Sequence, residues 1–459
     1  MPESVISVFD ALVTAAPPIH RNILFDTACV IGGSVAGLLA ARVLSDYADR
    51  VVIIERDDVA TGYRTRKGTP HDQQVHTLLP AGQHWIERWL PGFTEEAQDL
   101  GAIASTTDTT LMAIDGHRQA NSGSKEHMLL LASRPFLESR IRARVLALPN
   151  VSLLQARATG LRYRDAAVDG VEYTGDTASG VLDAGFVVDA AGRSSRVSDW
   201  VGGSGFQTPR SERLAAPINY ATALFERPVR ADDLPVAAVL DLFTPGAATE
   251  GVAVAAANAV EHDQWLVMLM GYGEDRPGRT MEAFRAICAT LPPLDEFTRG
   301  AVTRDVVTYH QQESRRRHFT GLSRYPARLV SVGDAVASFN PVYGQGMSSA
   351  ALHASCLSEY LAGAPDLTGP ATEFFDLQGV VVDAAWAISA GSDAARLDAV
   401  TGAEVPEDLA RQRLAQQRVI AAGLVDPVVA RAFNNVSYML RHPATLADPA
   451  LMERVDAVG

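Results

Sequence analysis

The stretch Ala28-Cys29-Val30-Ile31-Gly32-Gly33-Ser34-Val35-Ala36-Gly37 decides the fold. Four apolar residues in a row have the length and character of a buried parallel strand. The turn after them is a G-x-G-x-x-G pattern with Ser34 at the second glycine position. Gly32 permits the tight turn. The second position lets a pyrophosphate approach the backbone, and Gly37 lets helix and strand pack closely. Serine is small enough for the second role, and its hydroxyl is free in sequence terms to donate to a phosphate. Gly33, Val35 and Ala36 complete the turn. The helical stretch from Val35 to Tyr47 brings a positive N-terminus to the anion. A second strand, Val51-Val52-Ile53-Ile54, closes on Glu55. A carboxylate about 20 residues beyond the first glycine accepts the ribose hydroxyls of a dinucleotide. Arg56, next in sequence, joins the same site.

Composition narrows the class. The chain has 459 residues, long enough for two structural units, and 47% of them are hydrophobic. The net charge of −14 argues against nucleic acid and anionic membrane surfaces as partners. Three cysteines at 29, 288 and 356 form no C-x-x-C pair, so neither a zinc site nor a disulfide framework is expected. No metal site is expected elsewhere. The first 20 residues lack a basic start, and no apolar run spans a bilayer, so the expected location is cytoplasmic.

The expected organisation is a lead segment over 1–27, a dinucleotide-binding unit in two parts over 28–204 and 319–369, a β-rich substrate domain over 205–318, and a helical tail over 370–459. The β-rich reading rests on strand-like runs at Asn219–Phe225, Val236–Phe243 and Leu266–Met270, separated by Gly/Pro turns. The return of the first unit rests on Leu329–Val332 followed by Gly333-Asp334.

A second motif identifies the dinucleotide. Ser331-Val332-Gly333-Asp334-Ala335, then Asn340-Pro341-Val342-Tyr343-Gly344-Gln345-Gly346-Met347, resembles the GD-plus-proline motif of the group A flavoprotein monooxygenases. The resemblance implies an α/β fold of the para-hydroxybenzoate hydroxylase-like class with non-covalent FAD. It implies that Asp334 binds the ribityl chain, and that Gly346 and Met347 present N–H groups to the flavin. Ser133-Arg134-Pro135 resembles the family segment whose arginine reaches the FAD ribose–phosphate region. Val187 to Ser195 resembles the family's second fingerprint, in which Asp189 is as much a turn residue as a ligand.

Arg66-Lys67-Gly68-Thr69-Pro70, with His76 and the Phe339–Gly344 loop, is similar to a branch that works on polyketides. That branch contains polyether epoxidases and the pyrroindomycin-type dialkyldecalin synthases, which perform an intramolecular (4+2) cyclisation. The resemblance implies secondary-metabolite chemistry on a hydrophobic linear polyene, with FAD in a non-redox role. The alternative is an NAD(P)H-dependent monooxygenase, an epoxidase or hydroxylase of a polyketide. Neither needs a side-chain nucleophile, and no catalytic residue is assigned. Tyr343, His310 and Glu373 are the candidate pocket residues: a flavin-loop aromatic, a histidine after a strand of the β-rich domain, and a carboxylate amid aromatics. His76 is expected to be structural, and Arg315-Arg316-Arg317 to be a solvated face.

Overall fold

The apolar run at Ala28 forms the centre of a parallel sheet. In this computed structural model, which describes residues 4–59, 63–176, 178–228, 234–241 and 251–458, the strand is Phe25–Ile31. Ala48–Glu55 and Phe186–Asp189 flank it, with Val151–Gln155 and Leu329–Ser331 outside them, all parallel. The register sets Ile31 beside both Ile54 and Asp189. The amide of Gly32 therefore donates to Ile54 O at 2.8 Å, and that of Ala190 to Ile31 O at 2.8 Å. Three strands end level, and their carboxyl ends make the crevice where open α/β sheets bind ligands.

The helix that follows the glycine turn, Val35–Leu44, buries Leu38, Leu39, Val43 and Leu44. It packs against helices Arg134–Leu146 and Gly346–Ala362. Gly37 is required there: a Cβ would stand 1.9 Å from Gly32 O.

The second sheet has eight strands. Its four long central strands are antiparallel: Val302–His318, Arg210–Glu226, Gln264–Tyr272 and Val254–Val260. Ala237–Asp241 follows; Leu242 and Phe243 lie outside the described residues. Two short strands from earlier in the chain, Thr110–Ile114 and His117–Arg118, extend one edge, and Ala337–Ser338 caps the other. Span 205–318 thus supplies the middle of this sheet, and segments on either side complete it. Alternation gives the sheet two apolar faces. Phe225, Trp265, Val267 and Leu269 pack under Phe284 and Phe297 of the helices Met281–Cys288 and Leu294–Phe297. Tyr220, Val254, Ala256 and Met268 point the other way.

The segment from 370 is helical: Thr372–Thr401, Glu407–Gly423, Pro427–Ser437 and Pro449–Val458. Phe374, Phe375 and Val381 of the first join the main core. Among the described residues, no helix is long and apolar enough to cross a membrane.

His353 on helix Gly346–Ala362 is fully buried and accepts the Gly333 N–H at Nδ1, 2.9 Å away. Burial lowers its pKa from 6.5 to about 3. The unfolded imidazole takes a proton that the folded one refuses. Stability is therefore intact above 6.5 and is lost as pH falls toward the folded value. At pH 5 this group alone costs about 2 kcal/mol. The variant His353→Gln, which keeps an acceptor but does not titrate, is expected to flatten the fall in melting temperature between pH 7 and 5. An unchanged slope would contradict a neutral, buried imidazole.

Candidate functional site: a dinucleotide cradle opening on an apolar chamber

A cavity of about 580 Å³ runs from the ends of the parallel strands to the face of the eight-stranded sheet. Gly32, Ser34, Ala36, Glu55, Arg56 and Arg134 line one part of it, and Asp334, Gly346 and Met347 another. Residues from distant parts of the chain, Gly32 to Met347, thus share one wall. Gly33 and Gly37 stand behind this lining. The Gly33 amide donates to Glu55 Oε2 at 2.8 Å and fixes the carboxylate at the strand end. Glu55 Oε1 accepts from Asp57 N at 2.9 Å.

Two helices direct their N-termini at this cavity. Ser34 precedes Val35–Leu44 and Gln345 precedes Gly346–Ala362, and neither side chain caps its helix. First-turn amides are thereby left for a ligand. The first pair of elements suits a pyrophosphate, and the second suits a polarised carbonyl edge of an isoalloxazine.

The Ser34 hydroxyl departs from the expected role. It donates to Glu138 Oε2 at 2.7 Å and accepts from Arg134 Nη2 at 3.1 Å. Its proton is committed to a carboxylate, which leaves the backbone amides and Arg134, rather than this hydroxyl, available to a phosphate. Glu138 is the centre of a buried cluster. Arg66 Nη2 lies 2.6 Å from Oε1, Arg134 Nη2 lies 3.5 Å from Oε2, and Arg142 also pairs with Oε1. Burial would raise the Glu138 carboxyl, but Arg134, Arg66, Arg142 and the Ser34 hydrogen bond prevail and bring it from 4.5 to about 2. Burial also raises Asp334, against the pull of Arg134, Arg193 and Arg315.

Arg134 Nη1 is buried without a partner among the described residues. That orphan donor, the two uncapped helices and the fixed Glu55 carboxylate fit FAD: Arg134 and the Val35 helix would hold the phosphates, Glu55 the ribose and Asp334 the ribityl chain. Removing one charge-assisted contact by Arg134→Ala is expected to weaken FAD binding roughly ten- to a hundredfold. Fluorescence titration of the apoprotein with FAD checks this; unchanged affinity would take Arg134 out of the site.

Asp189 is a turn residue here. It accepts from Ala191 N at 3.1 Å, Ser195 Oγ at 2.6 Å and Ser331 Oγ at 3.2 Å.

The three candidate pocket residues are not part of the cavity lining. Strand alternation puts Tyr309 and Gln311 on the cavity, so His310 faces away; its Nδ1 lies 2.9 Å from Asn219 Oδ1. Tyr343 turns outward from the flavin loop toward Asp393, Oη to Oδ1 3.4 Å. Glu373 is exposed in the first turn of helix Thr372–Thr401, where a carboxylate suits the dipole. The arginine run is not a solvated face. Arg316 pairs with Glu212 at 2.9 Å and Asp383 at 2.7 Å and lies over Trp386, while Arg315 and Arg317 donate to the carbonyls of Arg193 and Ala335.

Two histidines do face the cavity. His71 and His76 have ring centroids 5.5 Å apart. Burial, with Arg134 nearby, brings His76 to about 3 and His71 well below 6.5, so both are neutral at neutral pH. Sequence reasoning also missed Glu138, although Arg134, Glu138 and Arg142 at successive i, i+4 positions mark one helix face.

Comparisons with known proteins bear on the family and the fold. Residues 26–373 match the family model described as FAD binding domain. Protein Rv3254 of Mycobacterium tuberculosis (strain ATCC 25618 / H37Rv) is 31% identical over 366 residues, 73% of each chain. Among solved structures, p-nitrophenol 4-monooxygenase PnpA from Pseudomonas putida DLL-E4 superposes with a TM-score of 0.63 at 18% identity, covering 91% of this chain and 99% of that one. The Diels-Alderase PyrE3 of the pyrroindomycin pathway superposes with a TM-score of 0.56 at 16% identity, covering 90% and 80%. At these identities the two structures speak for the fold alone. The matched span includes both halves of the cradle, and the chain belongs to the FAD binding domain family, as a flavoprotein enzyme whose cofactor is FAD.

Proposed function

We propose that the chain is an FAD-dependent cyclase of secondary metabolism that folds a linear polyene polyketide and closes a dialkyldecalin by an intramolecular (4+2) reaction. The observation that carries this reading is the wall beyond the flavin end of the cavity. Tyr220, Val239, Val254, Ala256 and Met268 form a continuous apolar surface on the second sheet, in the same cavity as the FAD cradle. Such a surface holds an extended chain by area. A (4+2) closure moves no proton and no net electrons, so it needs only diene and dienophile held together, and orientation alone supplies roughly 7–11 kcal/mol. The ionisable groups beside this wall suit that chemistry. His71 and His76 are kept neutral, and burial holds the Tyr220 hydroxyl far above its ordinary value. The flavin would supply a flat wall and a fixed electrostatic environment.

A specific observation favours a second reading, oxygen transfer to an alkene with NAD(P)H as reductant. The uncapped helix at Gly346 faces the flavin end, and a helix N-terminus stabilises the negative charge of a reduced flavin. The same scaffold carries a monooxygenase and a Diels-Alderase, and fold does not choose between them.

The FAD-loaded protein should therefore be given a linear substrate with a conjugated diene and a remote dienophile, without reductant or oxygen. The expected product has the mass of the substrate and one new ring system. No acceleration over the uncatalysed rate, with oxygenated product once NADPH and air are admitted, would replace the cyclase by the monooxygenase.

A further inference from the structure

The apolar chamber is not apolar throughout. Cross-strand register arranges its wall in rows. Tyr220 stands beside Met270 and Val254, and Thr222 beside Met268 and Ala256. One row further, Leu266 pairs with Asn258. The polarity of the wall therefore rises toward one end, at Thr222 and Asn258.

The loop carrying Gln74 covers that end. Thr222 Oγ1 donates to Gln74 Oε1 at 2.5 Å, and Asn258 Nδ2 donates to Thr77 Oγ1 at 2.8 Å. Gln74, Thr222 and Asn258 are 4%, 0% and 2% exposed, and Gln74 and Asn258 line the cavity. Gln74 Nε2 has no partner among the described residues. A buried amide N–H left unpaired is costly, so a donor held this way in a cavity wall calls for an acceptor.

The acceptor's charge can be read from the neighbours. His76, whose Nδ1 lies 2.9 Å from Gln74 O, is neutral. Arg304 gives its Nη2 to Gln73 O at 2.8 Å and is not part of the lining. Of the cations that line the cavity, Arg66 and Arg134 pair with Glu138, Arg193 gives its Nη1 to Ser338 Oγ at 2.7 Å and its Nη2 to Glu313 O at 3.2 Å, and none is hydrogen-bonded to Gln74, Thr222 or Asn258 among the described residues. A carboxylate at Gln74 would therefore be buried with neutral donors in direct contact, which is costly. A ketone or amide carbonyl is not.

We propose that Gln74, oriented by Thr222, is a specificity-determining residue that binds a neutral carbonyl of the substrate, so that the substrate class is a polyene chain bearing an uncharged ketone or amide at this end. The proposal rests on the chamber being the substrate site. It adds that the chain enters in one direction, with the carbonyl away from the flavin loop.

The test uses the FAD-loaded full-length protein and two probes of equal chain length, 2-tridecanone and tridecanoate. Binding is read from the perturbation of the flavin absorbance band. The native protein is expected to bind the ketone about tenfold or more tightly than the carboxylate, and Gln74→Leu to weaken the ketone about tenfold while leaving the carboxylate unchanged. Thr222→Val, which removes the group orienting the amide, is the second variant and should weaken the ketone in the same sense. Flavin content and melting temperature confirm that each variant is folded. Equal binding of both probes, or ketone binding insensitive to both substitutions, overturns the subsite alone. Failure of both probes to perturb the flavin of the native protein overturns the subsite together with the apolar-substrate reading.

Discussion

Glu138→Ala is expected to cost about 3–5 kcal/mol of stability and to yield protein largely free of flavin. Glu138 is 3% exposed and is paired with Arg66, Arg134 and Arg142. Arg134 and Arg142 are each 7% exposed. Without the carboxylate, three guanidinium groups crowd a buried volume with little to offset their charge. Arg66 retains Asp57 at 3.2 Å and Glu55 at 3.4 Å; Arg134 has no other ion pair among the described residues. The Ser34 hydroxyl also loses its acceptor, at the glycine turn of the proposed FAD cradle. Glu138→Gln keeps the shape and one acceptor oxygen but not the charge, and should fall between native and alanine. Thermal denaturation and the flavin-to-protein absorbance ratio measure both effects. A Glu138→Ala protein that melts with the native one and stays yellow would show that the cluster does not hold the cradle.

Gly37→Ala is expected to be nearly as severe, about 3 kcal/mol, because nothing at this site can yield cheaply. The new methyl would lie 1.9 Å from Gly32 O and 3.2 Å from Val30 Cγ1. Gly32 cannot retreat: its φ is +104°, and its own backbone sits against Ala190 O. Helix and strand must separate, which opens the turn from Gly32 to Gly37. Gly391 in helix Thr372–Thr401 is the matched control. A Cβ there meets nothing within 4 Å, so Gly391→Ala should be neutral or stabilising by up to about 1 kcal/mol. The melting temperature of Gly37→Ala should fall, while that of Gly391→Ala should hold or rise. If both behave alike, close packing at Gly37 is not the reason for that glycine.

The cradle was legible because its signals are local. A buried strand, a small-residue turn and a carboxylate at the next strand end lie within one stretch of chain, and the GD motif repeats the logic at the other end. The substrate wall was legible only as strand propensity. Two-residue strands such as His117–Arg118 and Ala337–Ser338 carry no pairing information, so their place in the eight-stranded sheet came from the structure alone. His310 shows the limit most clearly. Alternation was evident, but its phase was not, and a shift of one residue exchanges His310 for Tyr309 and Gln311. The arginine run at 315–317 misled for a different reason. Charge clusters are usually solvated, and nothing local announces that Glu212, Asp383 and the carbonyls of Arg193 and Ala335 will fold over them.

In the proposed cyclase FAD shapes a chamber and does not turn over. Anaerobic mixing of the yellow protein with NADPH, and then with NADH, probes this through the oxidised flavin band. The band is expected to stay unchanged for many minutes. Rapid bleaching, followed by recovery of the band when air is admitted, would establish a working redox cycle and contradict it.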